Sequence, residues 1–254
     1  MKKRLDTSLL VWMNRPSLWT IGRSRILFST EPATDFWINQ ARQLNKFNGH
    51  ALLLPIRQDF TLTVTIRAQL HEVYDQLGIF VMSDPSCWCK AGIEYRDEQA
   101  SSVCSTVTYG GFSDWAGMPI SSGIHTLTLR LHRWQNEFRV EFSFNGQKFK
   151  WLREFALPFT EGVAQVGFYA CSPKDSTFDA EFFDMMIEMG AMFVWFFHYM
   201  PVGNDAVPEL LPNPDQRRTV YERVRAFRNT KPIFSMDFQN DAEYVGGCIA
   251  GGRS

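Results

Sequence analysis

Apolar and polar residues alternate with a period of two through most of the first three quarters of the chain, which is typical of β-strands with one face toward a core. Residues 125–133 show this most clearly, since Leu127, Leu129 and Leu131 alternate with polar residues. Similar runs are separated by glycine, asparagine and aspartate, which favour turns. The pattern therefore predicts a region rich in β-strands from about residue 25 to residue 187.

About ten strands are expected in this region. They include residues 60–68, 76–83, 88–95, 101–109, 125–133, 137–144, 147–152, 164–170 and 177–187. Asn145 and Gly146 are suited to the turn of a two-residue hairpin between residues 137–144 and 147–152. Because no helical periodicity interrupts these strands, the predicted fold class is mainly β, a β-sandwich of the jelly-roll type.

The pattern changes near Met189. A strand is predicted at residues 192–199, a helix at 214–228 with Asn213 as N-cap and Pro214 at its first position, and a strand at 233–238. Strand, helix and strand in this order predict a short C-terminal βαβ-like appendage. We therefore predict two domains, residues 1–188 and 189–254. In the second domain, we expect Phe193, Trp195 and Phe197 to be partly exposed or paired with another chain.

Composition and charge exclude several classes of partner. The formal net charge is -1 and the basic residues are scattered, so no nucleic-acid partner is expected. The apolar run at residues 189–200 is too short to cross a membrane, and the run at residues 9–13 is too short for an export signal, so we expect a cytoplasmic protein. The five cysteines match no zinc spacing, and we predict neither a metal site nor a cofactor.

A ligand groove is predicted from the alternation within residues 88–95, where one face is small and apolar and the other carries Lys90 and Glu94. Gly78 and Gly92 are expected to leave a gap over the sheet, because glycine in a strand often marks the close approach of a ligand or of another backbone. Lys90 and Glu94 should not pair, because four residues of strand separate them by about 13 Å. Unpaired charges on one face would suit a polar ligand. The alternative is an ordinary solvated face of an antiparallel sheet.

A set of short motifs resembles one known family. The motifs are Trp12-x-Asn14-x-Pro16, Thr34-Asp35-Phe36-Trp37, Tyr74-Asp75-Gln76, Trp88-x-Lys90-x-Gly92-x-Glu94, Ser113-Asp114-Trp115 and Gly167-Phe168-Tyr169. In this order, over residues 9–188, they resemble the domain of unknown function related to regulation-of-enolase proteins. The resemblance implies a concanavalin A-like lectin/glucanase sandwich and no established reaction.

The later residues resemble a different group. Residues 199–203, 229–232, 236–238 and 246–253 are similar to a late portion of radical S-adenosylmethionine proteins. The resemblance implies an incomplete barrel fragment in which Cys248 corresponds to a first ligand of an auxiliary iron–sulfur cluster. The C-x-x-x-C-x-x-C triad of the catalytic cluster is absent, and one thiolate cannot hold a cluster that needs about four ligands. We therefore expect no radical chemistry.

The predicted function is non-catalytic binding or regulation, with a carbohydrate or a metabolic enzyme as partner. The predicted groove residues are Asp75, Gln76, Lys90, Glu94, Asp114 and Trp115. The alternative is a glycoside hydrolase in which Glu94 acts with a second carboxylate. The paired acids usual on one strand are missing, but Asp35, Asp75 or Asp114 could converge on Glu94 from separate elements. Asp35 and Asp114 have an equally simple role as turn caps, and Trp115 as a core residue.

Overall fold

The computed structural model describes residues 2–159, 162–190, 193–199, 207–230 and 234–237. The chain divides into two compact units, Met1–Gly190 and Ala191–Ser254. Among the described residues, no helix combines the length and the apolar content that crossing a membrane requires.

The first unit consists of antiparallel strands arranged in two sheets. The strands are β1 (Lys2–Arg4), β2 (Val11–Met13), β3 (Trp19–Ile21), β4 (Arg25–Ser29), β5 (Phe36–Asn39), β6 (Leu44–Phe47), β7 (His50–Ile56), β8 (Phe60–Arg67), β9 (Gln76–Asp84), β10 (Cys87–Tyr95), β11 (Ala100–Tyr109), β12 (Phe112–Ser121), β13 (Thr126–Trp134), β14 (Glu137–Ser143), β15 (Lys150–Ala156), β16 (Ala164–Cys171) and β17 (Asp179–Met189). Short 3-10 turns occupy Thr7–Leu9 and Gln40–Arg42.

The eight-stranded sheet has the order β15-β14-β13-β8-β17-β4-β3, with β1 added beside β17. The nine-stranded sheet has the order β2-β7-β16-β9-β10-β11-β12-β5-β6. Neighbours in space are often distant in sequence, as in a jelly roll, and the main hydrophobic core lies between the two sheets. The prediction of a mainly β sandwich of the jelly-roll type is confirmed.

Buried and half-buried residues alternate strictly along β8, a central strand of the eight-stranded sheet. In β8, Phe60, Leu62, Val64 and Ile66 are buried, while the threonines between them are half-buried. The central strands of the nine-stranded sheet differ, because β9 and β10 are buried on both faces. A second apolar cluster covers their other face, and its members are Phe36, Ile38, Ala51, Leu53, Phe80, Met82, Trp88, Tyr169 and Cys171.

Strands β14 and β15 form the predicted hairpin, but the predicted two-residue turn at Asn145-Gly146 is wrong. Strand β14 ends at Ser143 and β15 begins at Lys150, so residues 144–149 form a longer loop. The side chain of Asn145 explains the difference, since its Oδ1 accepts hydrogen bonds from the backbone N–H groups of Gln147 and Lys148, at 3.0 and 3.1 Å. This side-chain turn replaces the tight backbone turn.

The second unit contains the predicted βαβ arrangement. Strand β18 (Phe193–Phe196) pairs in parallel with β19 (Phe234–Asp237), and helix α1 (Pro214–Thr230) connects them. Asn213 caps the helix, because its Oδ1 accepts from the N–H of Gln216 while Gln216 Oε1 accepts from the N–H of Asn213, both at 2.9 Å.

Two of the three aromatic side chains predicted to be partly exposed in the second unit are exposed. Trp195 and Phe197 are 51% and 57% exposed, whereas the side chain of Phe193 lies outside the described residues. Most of residues 199–203 and all of residues 246–253, including Cys248, also lie outside them. The resemblance to radical S-adenosylmethionine proteins therefore stays a prediction.

Candidate functional site

A cavity of about 400 Å³ opens on the nine-stranded sheet, on the face turned away from the main core. Strands β9, β10 and β11 form its floor, and the segment from residue 35 to residue 44 forms one wall. Its lining residues are Asp35, Trp37, Leu44, Tyr74, Gln76, Lys90, Glu94, Arg96, Thr106 and Trp115. Three aromatic rings and several hydrogen-bonding groups thus share a space of the size that small-molecule ligands occupy.

Lys90 and Asp35 form a buried ion pair at the floor of this cavity. The Lys90 side chain is only 3% exposed, and its Nζ donates to Asp35 Oδ1 at 3.1 Å. Burial alone would lower the pKa of Lys90, but the charge of Asp35, the more distant groups Cys171 and Glu94 and the hydrogen bond to Asp35 together outweigh it, so the pKa of Lys90 is raised. Asp35 also accepts from the backbone N–H of Phe36 at 2.7 Å. The carboxylate of Asp35 is therefore held both by Lys90 and by the backbone.

Gln76 is oriented by three neighbours. Its Nε2 donates to the backbone carbonyl of Tyr74 at 3.1 Å and to Asp35 Oδ1 at 3.4 Å. The hydroxyl of Tyr169 donates to Gln76 Oε1 at 3.4 Å, and burial raises the pKa of Tyr169 well above its usual value, which keeps this donor protonated. The amide of Gln76 is thereby held in one orientation at the cavity floor.

Glu94 pairs with Arg96 near the mouth of the cavity. Glu94 is 5% exposed, and Arg96 donates to its Oε1 at 2.9 Å. Burial raises the pKa of Glu94 even though Lys90 and Arg96 oppose this shift. The guanidinium of Arg96 also lies 5.3 Å from the ring centre of Trp115 and 5.7 Å from that of Tyr74. Arg96 therefore links one acid and two aromatic rings of the lining.

Four of the six predicted groove residues lie together in this cavity: Gln76, Lys90, Glu94 and Trp115. Asp75 does not line it. Its carboxylate is fully buried, accepting from the Ser176 hydroxyl and from the backbone N–H of Glu72, and so it fixes the turn that carries Tyr74. Tyr74 adopts a left-handed backbone conformation at φ 75° within this turn.

Asp114 does not line the cavity either. It is exposed and binds Arg153 of β15, whose guanidinium donates to Asp114 Oδ2 at 2.6 Å and to its carbonyl at 3.2 Å. The bond joins an edge strand of the eight-stranded sheet to β12 of the other sheet, next to Trp115. The expected role of Asp114 as a cap is thus replaced by a contact between the two sheets.

Two expectations about the groove are wrong. Lys90 and Glu94 do not pair with each other, as predicted, but neither is unpaired, because Asp35 and Arg96 are their partners. Gly78 and Gly92 leave no gap, since they face each other across β9 and β10 and an added Cβ on either would lie 1.9 Å from a carbonyl oxygen of the neighbouring strand. The close approach is that of another backbone.

The remaining lining residues were outside the predicted set: Asp35, Trp37, Leu44, Tyr74, Arg96 and Thr106. Thr106 follows from the alternation of β11, and the motif around Asp35 and Trp37 was visible as a sequence pattern. The contact between Asp35 and Lys90 depends on the pairing of β5 with β12 in the sheet, which no local pattern specifies. Among the described residues, no group of three histidine, cysteine or acidic side chains is placed to hold a metal ion.

The fold and the cavity define an antiparallel β-sandwich with a polar and aromatic ligand-sized cavity on one sheet. The chain belongs to the family described as protein of unknown function (DUF1349), whose model matches residues 12–189.

Two relatives by sequence come from Saccharomyces cerevisiae and Emericella nidulans. The chain is similar to regulation of enolase protein 1 of Saccharomyces cerevisiae, with 28% identity over 172 residues, 68% of this chain and 85% of that protein. It is also 27% identical over 169 residues to uncharacterized protein AN7484 of Emericella nidulans, covering 62% and 83% of the two chains.

Solved structures support the fold. The crystal structure of a functionally unknown protein from Saccharomyces cerevisiae matches with a TM-score of 0.68 and 25% identity, over 74% of this chain and 100% of that one. The GH43 protein BlXynB from Bacillus licheniformis matches with a TM-score of 0.54 and 12% identity, over 69% of this chain and 36% of that one. At 12% identity the second likeness shows the fold alone.

Proposed function

We propose that the cavity binds a neutral carbohydrate without transforming it. The observation that carries this proposal is the combination of three aromatic rings with charges that are already paired among themselves. Of the four charged lining residues, Lys90 pairs with Asp35 and Arg96 with Glu94. The lining therefore has no net charge to attract an ion, yet it offers oriented donors and acceptors.

A sugar is suited to such a lining because it presents hydroxyls at its rim and C–H groups on its faces. Trp37 is half-buried at the cavity wall and can stack on the apolar face of a ring. The carboxylates of Asp35 and Glu94 accept hydrogen bonds from hydroxyls, and such charge-assisted bonds are stronger than neutral ones. The fixed side chains of Gln76 and Lys90 lose little entropy when a ligand binds.

A regulatory role completes the proposal. One relative is named for the regulation of enolase, and sugar binding would then control the affinity of the chain for a metabolic enzyme in the cytoplasm. The resemblance of residues beyond 189 to radical enzymes contributes nothing to this proposal.

The binding proposal is tested by titrating the full chain with neutral monosaccharides and disaccharides and following tryptophan fluorescence or heat. We expect saturable binding that weakens about tenfold in Trp37→Ala, which corresponds to about 1.4 kcal/mol of lost stacking. Trp19→Ala is a matched control, because Trp19 is an exposed tryptophan of the other sheet and does not line the cavity. Equal loss in both variants, with both folded, contradicts the assignment of the site.

A glycoside hydrolase is the second candidate, because Glu94 is a buried acid with a raised pKa and Asp35 lines the same cavity. A raised pKa is what a general acid requires, and a second carboxylate would serve as nucleophile or base. Incubation with a panel of nitrophenyl glycosides tests this candidate. Release of nitrophenol that disappears in Glu94→Gln supports it, whereas sugar binding without any turnover favours the non-catalytic proposal.

A further inference from the structure

Two exposed tryptophans lie close together on the outer face of the eight-stranded sheet, whereas the cavity opens on the nine-stranded sheet. Trp134 ends β13 and is 44% exposed, and Trp151 lies in the edge strand β15 and is 62% exposed. Single exposed aromatic residues are common on protein surfaces, but neighbouring ones that form a contiguous apolar patch often mark a binding site.

The two rings are fixed around one guanidinium. The Arg139 guanidinium lies 5.2 Å from the ring centre of Trp134 and 4.0 Å from that of Trp151. Glu154 accepts from Arg139 at 2.5 Å, which restrains the guanidinium between the rings. Such restraint lowers the entropy that the two tryptophans would lose on binding a ligand.

A further contact restrains Trp134. Its ring stacks on the imidazole of His132, with ring centres 5.4 Å apart and planes inclined by only 6°. The His132 ring is in turn hydrogen-bonded on both sides, to Thr61 at 2.9 Å and to Glu141 at 3.1 Å. The plane of Trp134 is therefore set by the sheet beneath it.

A shallow groove of about 620 Å³ runs beside Trp134. Its lining includes Glu137, Arg139 and Glu154, together with Phe155. The face thus combines aromatic surface with side chains that hydrogen-bond to hydroxyl groups, which is the same chemistry as in the cavity but on an open surface.

The charges on this face argue against an ionic partner, since Arg139 pairs with Glu154 and Arg130 with Glu141. The edge of the sheet argues against an added peptide strand. Strand β15 carries Lys150 and Glu154, and its pairing with β14 is interrupted by a bulge beside Glu141; both features disfavour strand addition. The flat face, and not the backbone edge, is available for binding.

We propose that this face is a second binding surface, for a neutral polysaccharide chain, with Trp134 and Trp151 stacking on its sugar rings. An extended polymer fits an open platform with two aromatic contacts, whereas the enclosed cavity fits one or two sugar units. The surface shares no lining residue with the cavity and does not depend on the function proposed for it.

Affinity gel electrophoresis of the full chain tests the proposal, with hydroxyethyl cellulose or a soluble mixed-linkage β-glucan cast in the gel. We expect the wild type to be retarded, and Trp134→Ala and Trp151→Ala each to weaken the apparent affinity about tenfold. Trp19→Ala is the matched control, because Trp19 is also 44% exposed but lies in β3 at the opposite edge of the same sheet.

Circular dichroism and thermal unfolding establish that each variant is folded. The cavity variant Trp37→Ala should keep full retardation, which separates this surface from the cavity. The proposal is overturned if neither polymer retards the wild type, or if Trp19→Ala loses as much affinity as the two platform variants.

Discussion

Replacing Asp35 by asparagine should destabilise the protein more than removing its partner Lys90. Asparagine has nearly the same shape as aspartate, so Asp35→Asn deletes the charge and leaves the packing intact. The ammonium group of Lys90, which is 3% exposed, then remains buried without its hydrogen-bonded carboxylate, and only the more distant Glu94 offers a negative charge. Breaking a buried ion pair in this way costs about 3–5 kcal/mol of unfolding free energy.

The reciprocal variant, Lys90→Met, should cost only about 1–2 kcal/mol. The side chain of Asp35 is 21% exposed, so its carboxylate can recover hydration when the ammonium group is gone. Methionine also preserves most of the apolar stem of lysine. In the double variant no charge is left unpaired, and its stability should lie close to that of Lys90→Met.

The stabilities of the wild type and of Asp35→Asn should also respond to pH in opposite ways. In the wild type the pKa of Lys90 is raised, so the pair stabilises fully below the unfolded pKa of about 10.4 and this contribution is lost as the pH rises through the folded pKa. In Asp35→Asn, burial dominates and the pKa of Lys90 falls. The unfolded chain then binds more protons than the folded one, so stability increases as the pH rises from 7 toward 10.

Urea unfolding followed by tryptophan fluorescence at pH 7, 8.5 and 10 measures these differences. The reasoning is refuted if Lys90→Met is the less stable single variant at pH 7. It is also refuted if Asp35→Asn loses stability with rising pH as steeply as the wild type.

Three other changes have definite expected outcomes. Gly78→Ala places a Cβ 1.9 Å from the Ala91 carbonyl, so we expect a loss of about 2 kcal/mol or more, measured by urea unfolding, and a neutral result would contradict the tight packing. Arg133→Met removes the donor to three backbone carbonyls at 2.7–2.8 Å and should cost at least about 3 kcal/mol in the same assay; a loss below 1 kcal/mol would mean that water replaces the guanidinium. The raised pKa of Glu94 means that the folded protein binds more protons than the unfolded chain. The stability of the wild type should therefore fall relative to that of Glu94→Gln as the pH rises from 4 to 7. A stability difference that stays constant over this range would contradict the sign of the shift.

The sequence predicts strands best where one face meets the main core. The alternation around Leu127, Leu129 and Leu131 predicts β13 almost residue for residue, because its outer face stays polar. Strand β12 was missed because most of it is exposed and no apolar alternation marks it. Most of the early strands were missed because β1, β2, β3, β5 and β6 have only three or four residues, too few to show a period. Strand β7 was missed because it is buried along nearly its whole length and shows no alternation.

The candidate site was only partly predictable. Alternation placed Gln76, Lys90 and Glu94 on one face, and the structure brings them into one cavity. The partners that neutralise the charges, Asp35 and Arg96, come from outside those strand faces. Register and chain crossing determine these contacts, and neither can be read from a local pattern. That is why the charges were expected to be unpaired.

The central claim is that the cavity binds a neutral carbohydrate, and isothermal titration of the full chain with matched sugars tests it most directly. The titrants are neutral hexoses and disaccharides, together with uronic acids of the same size. We predict saturable binding of at least one neutral sugar, no gain in affinity for its acidic counterpart, and weaker binding in Trp37→Ala. No binding across the whole neutral panel, or tighter binding of the acidic sugars, would contradict the claim.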